Sequence, residues 1–334
     1  MKKFTLKLVL FFTTLQLIFV GTITSFSEHI FDELYSLVRY QKNVCQNIKN
    51  ESVKYLFVGN SQILNGIDPQ LFPHSRFLTI PGGSSYESYL LLECYLKSNH
   101  PQNIILTSSP LHSFWPYNFW KINMFFNLYS WEDLFLLSKN LKGKHSFREI
   151  SGSLLGFENI HSRFDFFWNA LQYKLKLPNK YLASLQNALY DSRYPYYQKM
   201  YQELEKTKGN VFLSRYAGFS KIIRAGLNKH LREERNFKLE PIQKTYLHKI
   251  ASLLDKTQTN IYFTIMPLMK SDYLFLKASY YEHYKAEIIN IFPPKMNFLD
   301  LPYFFNDKMF LDTIHFNLAG RKEYTLQLKK QLEQ

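Results

Sequence analysis

Asp312 and His315 stand three residues apart in the stretch FLDTIHFNLAG, close to the end of the chain. An imidazole can take a proton from a hydroxyl, and a carboxylate on its other ring N–H fixes the tautomer and stabilises the imidazolium that forms. Such a pair needs a nucleophile. Ser61, in VGNSQILNGIDP, offers a hydroxyl that stays a poor nucleophile until a base removes its proton. The charge that develops on an attacked carbonyl oxygen needs N–H donors, and the backbone at Ser61 and at Gly82 or Gly83 in RFLTIPGGSS can supply them. One such donor lowers the barrier by about 3–4 kcal/mol. Together these residue types describe serine-dependent acyl chemistry.

Each residue also has a plainer reading. Ser61 suits the N-cap of a helix, Gly82 and Gly83 suit a tight turn, and Asn317 suits the cap of a last helix. Trp115, Tyr117 and Trp120 read as core aromatics or as stacking surfaces for sugar rings, and His112 as a structural or substrate-contacting residue. What favours the chemical reading is the order in which the elements place them.

Five short apolar runs end in turn residues: YLFVGN, RFLTIPGG, NIILTSSP, NIYFTIMP and MNFLDLP. Continuous apolar runs suit strands of a parallel sheet covered on both faces. SYESYLLLECYLKS, PIQKTYLHKIASLLDKT and KASYYEHYKAEIINIF have helical patterning and lie between the runs. The alternation predicts an α/β, doubly wound (flavodoxin-like) parallel sheet of about five strands. Ligands of such sheets bind beyond the carboxyl ends of the strands, where Ser61, Gly82, Gly83, Asp312 and His315 all fall. A helix-rich, aromatic and basic stretch interrupts the pattern. The expected organisation is an N-terminal segment over 1–25, a first part of the α/β domain over 26–118, a helical insertion over 119–240 and a second part over 241–334.

The 334 residues include 46% hydrophobic and 17% aromatic side chains, enough for a sizeable core. Lys and Arg number 41 against 27 Asp and Glu, a net charge of +14 that favours anionic surroundings. The basic residues are scattered, and zinc-finger, basic-zipper and RNA-binding signatures are absent, so no nucleic-acid partner is expected. Cys45 and Cys94 form no metal-binding motif; they read as two free thiols or as one disulfide. The opening MKKFTLKLVLFFTTLQLIFVGTITSF joins lysines to an apolar run of nearly spanning length. It reads as an uncleaved signal anchor that leaves the rest of the chain outside the cytoplasm, with a cleaved signal and a secreted or periplasmic protein as the alternative.

VGNSQILNGIDP, the glycine pair after the second run and DTIHFNLAG occur in the order of the sequence blocks of the SGNH/GDSL hydrolases, which this chain resembles. The resemblance spans Tyr55 to the end apart from the insertion. It implies Ser61 as nucleophile, His315 as base, Asp312 as its orienter, and oxyanion donors at Ser61 and Gly83 or Gly82. Asn60 stands where many members carry Asp. The family's third-block asparagine is missing; Ser108 and Ser109 stand there, and the resemblance casts the Ser109 hydroxyl as a substitute donor. With the N-terminal anchor, this departure resembles the envelope branch of alginate O-acetyltransferase type and the teichoic acid D-alanylation protein. The branch implies an acylated glycan or lipid substrate, a membrane acyltransferase partner and no cofactor. A non-catalytic envelope assembly protein on the same fold is the alternative.

Overall fold

The computed structural model describes residues 33–108, 194–212, 239, 241–271, 278–312 and 314–334, with the isolated positions 11 and 14. The chain divides into two compact units, Met1–Tyr35 with Trp120–Pro195, and Ser36–Phe119 with Tyr196–Gln334. Nearly all described residues belong to the second.

The five apolar runs form five strands: β1 (Tyr55–Gly59), β2 (Ser75–Thr79), β3 (Asn103–Ser108), β4 (Asn260–Ile265) and β6 (Met296–Phe298). They make one parallel sheet in the order β2-β1-β3-β4-β6. This is the flavodoxin-like arrangement expected from the sequence. Every residue of β1 and β2 is buried, which explains why these strands read as continuous apolar runs rather than alternating ones.

On one face lie α3 (Ser85–Leu96) and α5 (Pro241–Asp255), which pack on each other. A capping box starts α3: the Ser84 hydroxyl accepts from the helix backbone while the Glu87 carboxylate accepts from the Ser84 N–H at 2.6 Å. On the other face lie the short α2 (Ser61–Gly66) and the last helix, α7 (Leu318–Leu332). Their shared core joins Phe57, Ile63, Ile105, Met266, Phe316 and Tyr324, all nearly inaccessible. Helix α1 (Glu33–Asn47) precedes β1, and α6 (Ala278–Ile291) links β4 to β6. A second, two-stranded parallel sheet of β5 (Leu268–Met269) and β7 (Phe304–Phe305) was not foreseen.

The expected N-terminal anchor lies outside the described residues, as does most of the expected insertion. Among the described residues no helix is long and apolar enough to cross a membrane. Within the 119–240 segment, α4 (Tyr194–Lys206) is helical, and the turn after it joins the sheet-bearing unit. There the Lys208 carbonyl accepts from the Phe77 N–H at 2.9 Å, on the outer side of β2. Beneath that edge a partly buried ion pair ties β2 to the segment before β1. The Arg76 guanidinium donates to both Glu51 carboxylate oxygens, and Lys208 and the Tyr95 hydroxyl reach the same carboxylate at 3.0 and 3.1 Å. Burial favours the neutral Glu51, yet the Arg76 and Lys208 partners outweigh it and hold the carboxyl below its ordinary range.

Candidate active site

Ser61 is the first residue of α2, directly after β1. Asn60 caps the helix: its side-chain oxygen accepts from the Gln62 N–H at 3.0 Å and its carbonyl from the Ile63 N–H at 3.1 Å. The cap is therefore Asn60, and the Ser61 hydroxyl is released from the capping role that its residue type also suits. The turn into the helix is sharp and tightly packed. A Cβ on Gly59 would come within 2.6 Å of both Ile63 Cδ1 and Thr107 Oγ1, so glycine is what lets β1 end this close to its neighbours.

Asp312 and His315 sit in a loop closed on itself. The Leu311 N–H donates to the His315 carbonyl at 2.8 Å, Phe310 and Phe316 form an antiparallel bridge, and the Asn317 N–H donates to the Met309 carbonyl at 2.9 Å. Asn317 then caps α7, accepting from the Ala319 and Gly320 N–H groups at 3.0 Å each. Within the loop Asp312 Oδ1 accepts from the N–H groups of Ile314 at 2.9 Å and His315 at 2.8 Å. Its other oxygen, Oδ2, lies 2.7 Å from His315 Nδ1. One carboxylate thus fixes both the backbone and the ring of the histidine.

The far side of that ring meets the first strand's end. His315 Nε2 lies 2.9 Å from Ser61 Oγ. With Nδ1–H donating to Asp312, Nε2 carries the lone pair and the serine O–H donates to it. Relative exposures of 5% for Ser61, 7% for Asp312 and 9% for His315 keep this chain of hydrogen bonds largely shielded from water. Burial works against the charged Asp312 carboxylate. The hydrogen bond and charge of His315, with the two backbone N–H groups, outweigh that and hold its pKa below the ordinary carboxyl value.

The residues that lock the two halves together were not among those singled out from the sequence. Arg321, on α7, donates through Nε and Nη2 to the Ile67 carbonyl at 2.9 and 2.7 Å, and through Nη2 to Asn210 Oδ1 at 2.6 Å. Thr325, one turn later, donates to the Gly66 carbonyl at 3.1 Å and accepts from the Asp68 N–H at 2.9 Å. Gln62 Nε2 reaches the Ile314 carbonyl at 3.4 Å. The helix behind His315 is therefore tied to the end of the helix that begins with Ser61. The available signal was the spacing of Arg321 and Thr325, two polar residues on one helix face that must turn inward.

The expected oxyanion donors are placed unevenly. Ser61 stands at the first helical position, where a backbone N–H has no partner within its own helix. Gly82 has a φ of 67°, the left-handed conformation a turn requires. The Gly83 N–H donates to the Ile80 carbonyl at 2.8 Å and is engaged in that turn. Gly83 nevertheless lines a small cavity together with Asn60 and Ser108. Ser109, His112, Trp115, Tyr117 and Trp120 lie outside the described residues. Among the described residues no group of three His, Cys, Asp or Glu side chains could hold a metal ion.

Comparison with protein-family models finds none that matches this chain, and comparison with curated proteins finds no match either.

Proposed function

We propose that the protein is a serine-dependent acyltransferase or esterase of SGNH type, acting outside the cytoplasm on an acylated envelope glycan or lipid. The observation that carries this reading is the chain of contacts from Asp312 through His315 to Ser61, in which Nδ1 faces the carboxylate and Nε2 the hydroxyl. Ser61 Oγ attacks an ester or thioester carbonyl and its proton passes to His315 Nε2. The negative charge that develops on the carbonyl oxygen is met by the Ser61 N–H. The bond to the leaving group then breaks, and His315 returns the proton to the departing oxygen or sulfur. In the second half a sugar hydroxyl or water attacks the acyl-serine, gives its proton to His315 and releases Ser61. Asp312 stays ionised throughout and stabilises the imidazolium. The location rests on the N-terminal lysines and apolar run, which suit a membrane anchor, and a membrane acyltransferase would be the donor's source.

One observation favours a second reading, a protein that keeps this fold to bind an envelope glycan without turnover. The Gly83 N–H is taken by Ile80, and β3 ends in Ser108 where an asparagine donor would stand, so the set of oxyanion donors is thin. Hydrolysis of p-nitrophenyl acetate, with and without a glycan acceptor, separates the two. Turnover that disappears in Ser61→Ala supports the enzyme, and acceleration by the acceptor favours transfer over hydrolysis. A native protein with no Ser61-dependent turnover under either condition leaves the binding reading.

A further inference from the structure

Cys45 and Cys94, the chain's two cysteines, take no part in the site described above. Cys45 lies in the last turn of α1 and Cys94 in the last turn of α3. Both are thiols, and both residues are half-buried. The Cys45 thiol donates to the Leu91 carbonyl at 4.0 Å. Leu91 stands one turn before Cys94 on α3. A helical side chain leans back toward the helix N-terminus and covers the turn before its own Cα, so Cys94 covers the spot that Cys45 reaches. The two thiols also act on each other. Burial pushes the Cys45 thiol far up from its ordinary pKa, and Cys94 is the neighbour that pushes it further, against the charge of Lys97.

Helix α1 is the element that joins the N-terminal segment to the strands, because β1 is the next strand after it. Gln41, one turn before Cys45 on the same face of α1, donates through Nε2 to the Phe77 and Thr79 carbonyls at 3.0 and 3.3 Å. These hydrogen bonds seat α1 on β2. A covalent link at Cys45 would fasten the same helix to α3.

We propose that Cys45 and Cys94 are the two halves of a disulfide that staples α1 to α3 once the protein meets a disulfide oxidant. The proposal is independent of the serine reading. Cys45 is held protonated by its burial, so Cys94 attacks the oxidant first. One sulfur of the oxidant leaves as a thiol, and the other stays on Cys94 as a mixed disulfide. Cys45 then gives up its proton, attacks the Cys94 sulfur and releases the second thiol. Two protein thiols and one disulfide thus become one protein disulfide and two free thiols, with both protons on the released sulfurs. The bridge closes a loop of about 50 residues, which restricts the unfolded chain and raises the melting temperature.

The full chain is incubated with glutathione disulfide, quenched with N-ethylmaleimide and read by intact and peptide mass. The product is expected to be lighter than the reduced protein by two hydrogens, to carry no maleimide and to yield one peptide pair joined through Cys45 and Cys94. Its melting temperature should exceed that of the dithiothreitol-treated protein by at least about 5 °C. In Cys45→Ser and Cys94→Ser the remaining cysteine should carry glutathione or maleimide, and the difference in melting should vanish; either folded variant suffices. Two maleimide adducts, two glutathione adducts or a covalent dimer in the native protein overturns the pairing. A bridge that leaves the melting temperature unchanged overturns the staple. None of these outcomes touches Ser61.

Discussion

His315 Nε2 and Ser61 Oγ lie 2.9 Å apart although 254 positions separate them in the chain. The contact exists because the loop before α7 and the start of α2 meet at one end of the sheet, and because α7 is bonded to the last residue of α2 and the one after it. The account of function depends on that meeting, and the consequences can be measured.

Asp312 holds the ring of His315 through Nδ1 and its backbone through Oδ1. Asp312→Asn should leave the protein folded but allow the wrong tautomer, with Nε2 protonated and turned toward the serine. Esterase or transfer activity should fall by about 10³–10⁴-fold. Steady-state kinetics with thermal melting checks it; activity within a factor of about three of native would remove Asp312 from the mechanism.

Acid should weaken the fold through the same carboxylate. Burial raises the Asp312 pKa, but His315 and the two backbone N–H groups pull it further down, for a net value below the ordinary 3.8. A carboxyl depressed by folding contributes stability that is present above its unfolded pKa and is lost as pH falls through the folded one. Glu51, depressed by Arg76 and Lys208 against the effect of its burial, acts with the same sign. Urea unfolding should therefore show a loss of stability below about pH 4. Asp312→Asn and Glu51→Gln should each flatten that acid limb while lowering stability at neutral pH. An acid limb unchanged in both variants would contradict the assignment.

Arg321 joins α7 to the Ile67 carbonyl and to Asn210. Arg321→Met keeps much of the side chain's bulk and removes three N–H donations to buried oxygens. A loss of about 3 kcal/mol is expected, because hydrogen bonds from charged donors are worth about 1.5–3 kcal/mol each, although the Ile67 carbonyl keeps a longer bond from Asn210 Nδ2 at 3.3 Å. Denaturant midpoints measure it, and a loss under about 1 kcal/mol would show that the clamp contributes little.

Cys45 and Cys94 are both free, and the Cys45 thiol donates to the Leu91 carbonyl at 4.0 Å. Burial pushes the Cys45 thiol far up from its ordinary pKa, and the neighbouring Cys94 adds to the shift despite the opposing charge of Lys97. Since the thiolate is the reactive form, iodoacetamide at pH 8 should alkylate Cys45 in the folded protein at least about tenfold more slowly than in denaturant. Equal rates in the two states would mean the thiol is not held as described.

The architecture was legible because its strands, most of all the fully buried β1 and β2, write themselves as short apolar runs, and the site because its residues follow three of those runs. Asn317 was readable as a cap from its place before α7. Other features depend on contacts that local patterns do not carry. Ser61 and Asn60 are both good capping residues, and only the backbone at β1's end decides that Asn60 takes the role. Strands β5 and β7 are two residues each, too short for any periodicity. Gln243 sits in an ordinary helical pattern, and its relation to Ser85 and the cavity appears only when α5 is laid against α3. The Arg76–Glu51 pair joins residues whose charges suggested solvent.

The central claim is that Ser61 is a nucleophile activated by His315. Its most direct measurement is labelling by a fluorophosphonate, with the adduct located by peptide mass. The account predicts one adduct on Ser61, none in Ser61→Ala, and a rate in His315→Gln lower by at least about 10³-fold. An unlabelled native protein, a label that persists in Ser61→Ala, or an undiminished rate in His315→Gln would contradict it.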